Sequence, residues 1–123
     1  MKTQQEFAAD GMVSIWIGDF SSEAQFDKYM NLTKDFEKDF GFKIDNGGVR
    51  EGVVENGPRP VEQLVEGFSS WGSFGVAAAE ACKKLGINLA TTMIVFYTVK
   101  FDPSKVVINP SAPLKFIGSF PFW

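Results

Sequence analysis

Carboxylates are the side chains best placed to do chemistry in this chain. Asp35 and Asp39 stand one helical turn apart, and so do Glu23 and Asp27. Two acids on one helix face can hold a hard metal ion, or split their pKa values for general acid–base work. Each pair, however, lies on the polar side of one long amphipathic pattern, where acids ordinarily serve to solvate a face. The chain has no histidine. That removes Ser-His-Asp and Cys-His nucleophile pairs and every histidine zinc site. Ser69, Ser70 and Ser73 therefore have no imidazole to activate them, and Lys83 or Lys84 at a helix end is a poor substitute base. Cys82 falls on the apolar stripe of its helix and reads as a small core residue rather than a nucleophile. Asp39-Phe40-Gly41 spells a kinase tripeptide, but no glycine-rich loop or catalytic-loop motif accompanies it. Gly47-Gly48 has neither Walker nor dinucleotide spacing. No catalytic site, cofactor or metal site is read from these residues.

The elements that must position the acids follow from periodicity. Met12 to Phe20 alternates cleanly, with Val13, Ile15 and Ile17 on one side and Ser14, Trp16 and Gly18 on the other. This predicts a strand with at least one buried face. Trp16 is then either a core residue under a helix or an exposed aromatic anchor. Ser22 and Gln25 have the spacing of a capping box and predict a helix start. The helical pattern runs from about Glu23 to Phe40, with Phe26, Tyr29, Met30, Thr33, Phe36 and Phe40 on one stripe. Asn31 and Thr33 are weak helix formers, so a break can fall there, and Gly41 suits a C-terminal cap.

Phe42 to Val54 reads as a small hairpin or an irregular loop around Asp45-Asn46-Gly47-Gly48. Asn56 to Pro60 reads as punctuation. Helices are predicted over Val61–Phe68 and Ser73–Leu85, and a central strand over Thr91–Phe101. Val106–Ile108 suggests a short strand and Leu114–Phe120 the last one, while residues 1–11 read as a poorly ordered lead-in. The fold class is α+β: one domain over residues 1–123, a small antiparallel sheet with helices packed mainly on one face.

Charge limits the partners. Residues 1–60 carry 11 acidic and 7 basic side chains, against 4 and 5 in the remainder. No basic patch of the kind that binds nucleic acid is visible. The start lacks an apolar leader core, and the uncharged run Leu85–Val99 is too short to span a bilayer. With a single cysteine, these features predict a cytoplasmic protein with no membrane partner. An acidic half fits a basic partner, and the acids that would meet one are Asp35, Glu37, Asp39, Asp45 and Glu51, with Trp16 as aromatic anchor. Phe120, Phe122 and Trp123 crowd the last residues, either tucked into the core or forming a contact surface.

The ordered set of motifs resembles the immunity protein 22 family of bacterial polymorphic-toxin systems. The pieces are Trp16–Phe20 with Ser22-Glu23, then Lys38–Phe42, then Val61–Leu64 with Glu66–Ser69. They continue through Ala81–Ile87, Phe96-Tyr97 with Phe101–Pro103, and Leu114–Pro121. One segment departs: Lys43–Gly48 stands where the family pattern has an acidic, tyrosine-bearing stretch, and partner choice encoded there would differ. The resemblance implies a cytoplasmic, non-catalytic inhibitor that binds a cognate toxin domain, often a nuclease. It carries no residue-level site. Competing readings are a self-associating interaction module and a small carboxylate-dependent enzyme.

Overall fold

The computed structural model describes residues 1–123. Short strand β1 (Lys2–Thr3) leads through a 3₁₀ turn (Gln4–Phe7) into β2 (Ala8–Gly18). Helices α1 (Glu23–Asp27) and α2 (Asp35–Phe40) follow, then β3 (Phe42–Lys43) and β4 (Arg50–Pro60). The chain continues through α3 (Val61–Val65), α4 (Trp71–Lys84), β5 (Leu89–Val99) and β6 (Leu114–Pro121). The main sheet has the order β4-β5-β2-β6, with every neighbour antiparallel. The β-branched and aromatic run of β5 occupies the interior of that sheet, as its composition predicts. The α+β class and the antiparallel sheet of the sequence reading are both present.

The alternation in β2 sorts the core into two clusters. Val13, Ile15 and Ile17 join Met93 and Val95 against Leu64, Val65, Phe74, Ala78 and Cys82 of α3 and α4. Trp16 joins Ile94 and Phe96 on the opposite side, against Tyr29, Met30, Phe36 and Phe40. The longest helix thus lies on one face and the short N-terminal helical pieces cover the other, so the expectation of helices mainly on one face does not hold: the apolar stripe from Tyr29 to Phe40 needs a sheet face of its own. The cysteine sits in the first cluster, where burial and the nearby Glu62 carboxylate push its thiol up to about 11.

This two-sided coverage corrects the reading of Trp16 as a partner-facing anchor. The indole is fully buried. Rings of Phe36, Phe96, Phe101 and Phe116 lie with centroids 5.2, 5.3, 5.2 and 4.9 Å away. Its Nε1–H is a buried donor with no hydrogen-bond partner, surrounded by π faces that are only weak acceptors.

The helical segment after Ser22 starts as expected, with Gln25 N–H donating to Ser22 Oγ at 3.2 Å. The Gln25 side chain accepts from Ser21 Oγ instead of closing the capping box. The helix then breaks. Residues Lys28–Leu32 widen into a π turn, and both the N–H and the hydroxyl of Thr33 bond back to Lys28 O. Lys34 takes φ 56° before α2 begins. A side-chain hydroxyl competing for backbone groups is the reason such residues end helices. The break redirects α2 so that Phe36 and Phe40 both reach Trp16.

Other expectations change. The lead-in is structured: β1 pairs in parallel with β3, and Phe7 is buried. The Asp45–Gly48 turn forms, but its flanking runs do not pair with each other, so there is no hairpin. Asn56–Pro60 is not mere punctuation. It continues β4 beyond a register shift between Val54 and Arg59, a bulge that lets proline sit at a sheet edge. Val106–Ile108 is not a strand. In β6, Gly118 takes φ 143° where the pairing with β2 shifts register, a conformation a side chain would resist. No helix is long and apolar enough to cross a membrane.

Candidate interaction surface

The anticipated acids fall into two groups. Asp35, Glu37 and Asp39 lie on α2 and Asp45 on the turn beside it, the link being Ile44 N–H donating to Glu37 Oε2 at 2.7 Å. Asp39 is engaged inside the protein. Its Oδ2 accepts from the Tyr29 hydroxyl at 2.8 Å, and its Oδ1 accepts from Asn109 Nδ2 at 2.9 Å. Burial, and then this carboxylate, push the Tyr29 hydroxyl far above the usual tyrosine range. Asp35 is half exposed and pairs with Lys38 at 3.5 Å. Asp45 is exposed, closing its turn by accepting from Gly47 N–H at 3.0 Å.

Glu51 is set apart. It sits on β4 facing α4, while its neighbour Arg50 turns to Asn31 on the other side of the sheet. Its Oε1 accepts from Ser69 N–H at 2.8 Å and from the Tyr97 hydroxyl at 2.7 Å, and its Oε2 accepts from Ser69 Oγ at 2.7 Å. Glu51 therefore anchors the loop between α3 and α4. Partial burial pushes its carboxyl up, but the hydrogen bonds from Ser69 and Tyr97 outweigh this and hold it below the ordinary value of 4.5. A depressed folded pKa means stability that is present above pH 4.5 and lost as pH falls through the depressed value. Thermal melts of Glu51→Gln and the unsubstituted protein should therefore differ at neutral pH and converge on acidification below pH 4.5. Parallel curves at every pH would deny the carboxylate this role.

The carboxylate pairs do not assemble a reaction centre. Asp39 is held by two neutral donors, Asp27 accepts from Asn31, and no three His, Cys, Asp or Glu side chains gather as metal ligands. A surface depression of about 710 Å³ has Glu6 as its only carboxylate, and Lys2 is 3.8 Å from it.

The sequence reading left the tail open between core and contact surface and gave Trp71 no role; the structure brings the two to one end of the sheet, beside the loop that Glu51 holds. Trp71 opens α4 and is 43% exposed, and Trp123 is 83% exposed. The tail is divided. Phe122 packs edge-on against Tyr97 with centroids 5.3 Å apart, and its N–H donates to Gly11 O. The Trp123 N–H then donates to Ser73 Oγ in the first turn of α4. Trp71 stands out in the sequence as a break in a helical pattern, but nothing local brings it beside the tail.

A family model described as Immunity protein 22 matches residues 13–122. No curated protein and no solved structure matches the chain.

Proposed function

Because the chain belongs to the immunity protein 22 family, we propose that it binds one cognate bacterial toxin domain and neutralises it without catalysis of its own. A toxin-neutralising role is what membership of the family carries. The finer reading is a cytoplasmic inhibitor, acting as one domain, that occludes a basic active site such as that of a nuclease. Neither nucleic acid nor a membrane is its target. The observation that carries this is the family match, which spans nearly every element of the fold. The distribution of acids is consistent with it. Asp35 and Asp45 keep solvent-facing carboxylates suited to electrostatic steering, whereas Glu37, Asp39 and Glu51 also hold loops in place.

The test is protection. A toxin domain encoded beside this gene should arrest bacterial growth when expressed alone, and co-expression of the chain should restore it. The purified pair should form a 1:1 complex whose association slows as salt is raised. Asp35→Lys with Asp45→Lys should slow association by about threefold to tenfold at low salt and leave dissociation nearly unchanged. Failure to protect and failure to bind would refute the proposal.

A further inference from the structure

Two of the three tryptophans lie outside the core, and both flank the first turn of α4. We propose that the surface built by Trp71 and Trp123 is the docking site, and that it receives a basic, partly apolar patch of the toxin domain. The inference rests on the toxin-neutralising reading and adds the surface and the chemistry of what it meets.

Charge is the first argument. Asp10 and Glu66 are exposed and take part in none of the protein's ion pairs. Asp10 precedes the glycine that holds Phe122, and Glu66 lies in the loop leading to Trp71. Two cations of β4 and α4 are directed elsewhere. Arg50 bonds Asn31 across the sheet, and Lys83, at the far end of α4, pairs with Glu62 at 3.1 Å. An apolar centre rimmed by unpaired acids is complementary to a basic partner.

Preorganisation is the second argument. Large flat side chains anchor interfaces best when they are held before binding. The Glu51 carboxylate ties down Ser69, two residues before Trp71. Ser70 takes φ 61°, a left-handed conformation uncommon outside glycine, directly before Trp71. The backbone of Trp123 is fixed by Ser73 and by the seating of Phe122. The α2 surface is a weaker candidate for the contact itself, because Lys34 and Lys38 interleave with its acids and Asp35 is already paired; Asp35 and Asp45 act at longer range, on the partner's approach at low salt.

The probe is the purified toxin domain encoded beside the gene, catalytically inactivated. Trp71→Ala and Trp123→Ala should each weaken its affinity about 30-fold or more, the size of an interface hot spot. Trp71→Phe and Trp123→Phe should retain more binding than the alanine variants. Trp123 is largely exposed, so its variants should melt with the unsubstituted protein; the Trp71 indole also packs over Gly75, so Trp71→Phe, which keeps a ring there, is the control that separates lost binding from lost stability. Binding should also shift tryptophan emission to the blue, and Trp71→Ala/Trp123→Ala should abolish that shift. If the double variant binds within about threefold of the unsubstituted chain, the surface is wrong and the toxin-binding reading stands. A double variant that only converts a dimer of this chain to a monomer, with toxin affinity intact, would overturn it too. Absence of binding by the unsubstituted chain would remove both.

Discussion

Trp16→Ala is expected to remove about 3–5 kcal/mol of folding stability, the usual range for truncating a buried large aromatic. A domain of this size has only about 5–15 kcal/mol to lose. The cost belongs at the upper end of the range because no polar group or solvent can fill the space. Trp16 touches the rings of α2, β5, β6 and the Phe42 segment at once, with centroids between 4.9 and 6.2 Å. Removing it withdraws the contact shared by elements that otherwise meet only through each other. Thermal denaturation should show a midpoint lower by about 10 °C or more. Trp16→Phe should cost less, since it keeps a ring in place and deletes the unpartnered Nε1–H. A midpoint for Trp16→Ala within about 3 °C of the unsubstituted protein would show that the cluster closes over the gap.

Ser14→Ala is expected to cost about 2–4 kcal/mol despite deleting one oxygen, because buried groups that lose their partners each cost about 1–3 kcal/mol. Ser14 is fully buried, in the middle of β2. Its hydroxyl donates to Val99 O at 2.8 Å and accepts from Phe101 N–H at 2.9 Å. The Ser119 hydroxyl lies 2.8 Å away. With the Ser14 proton spent on Val99, Ser119 is the donor, so all three bonding positions of Ser14 Oγ are used. The hydroxyl joins β2, β6 and the chain leaving β5 just where the sheet is irregular. Alanine would leave the Phe101 amide without its acceptor, and hydrogen exchange at that amide should accelerate ahead of its neighbours. Ser119→Ala should cost about 1 kcal/mol or less, since Ser119 is only partly buried and water can replace its bond. Equal costs for the two substitutions would mean that Ser14 is not the hub.

The alternation of Val13, Ile15 and Ile17 against Ser14 and Trp16, the β-branched run of β5, the Ser22 cap and the small-residue stripe of α4 were all legible locally. They depend on period, propensity and capping, which act over a few residues. The absence of histidine excluded Ser-His-Asp and Cys-His nucleophile pairs before any fold was known. The full order of motifs pointed to the family, and the match over residues 13–122 agrees.

The acids were less legible. Composition gave their number and their concentration in the first half, but a free carboxylate and one that anchors a loop look identical in sequence. Glu51 meets Ser69 and Tyr97 across 18 and 46 residues, and Asp39 meets Asn109 across 70. Trp16 and Trp71 show the same divide. Alternation left Trp16 open between core and surface, and only the arrival of α2 on the second face of the sheet buried it. Trp71 became one of a pair only because β6 carries Trp123 back to the first turn of α4. Short-range order was thus written in neighbouring residues, whereas exposure, pairing and the making of a surface depended on segments distant in the chain meeting in space.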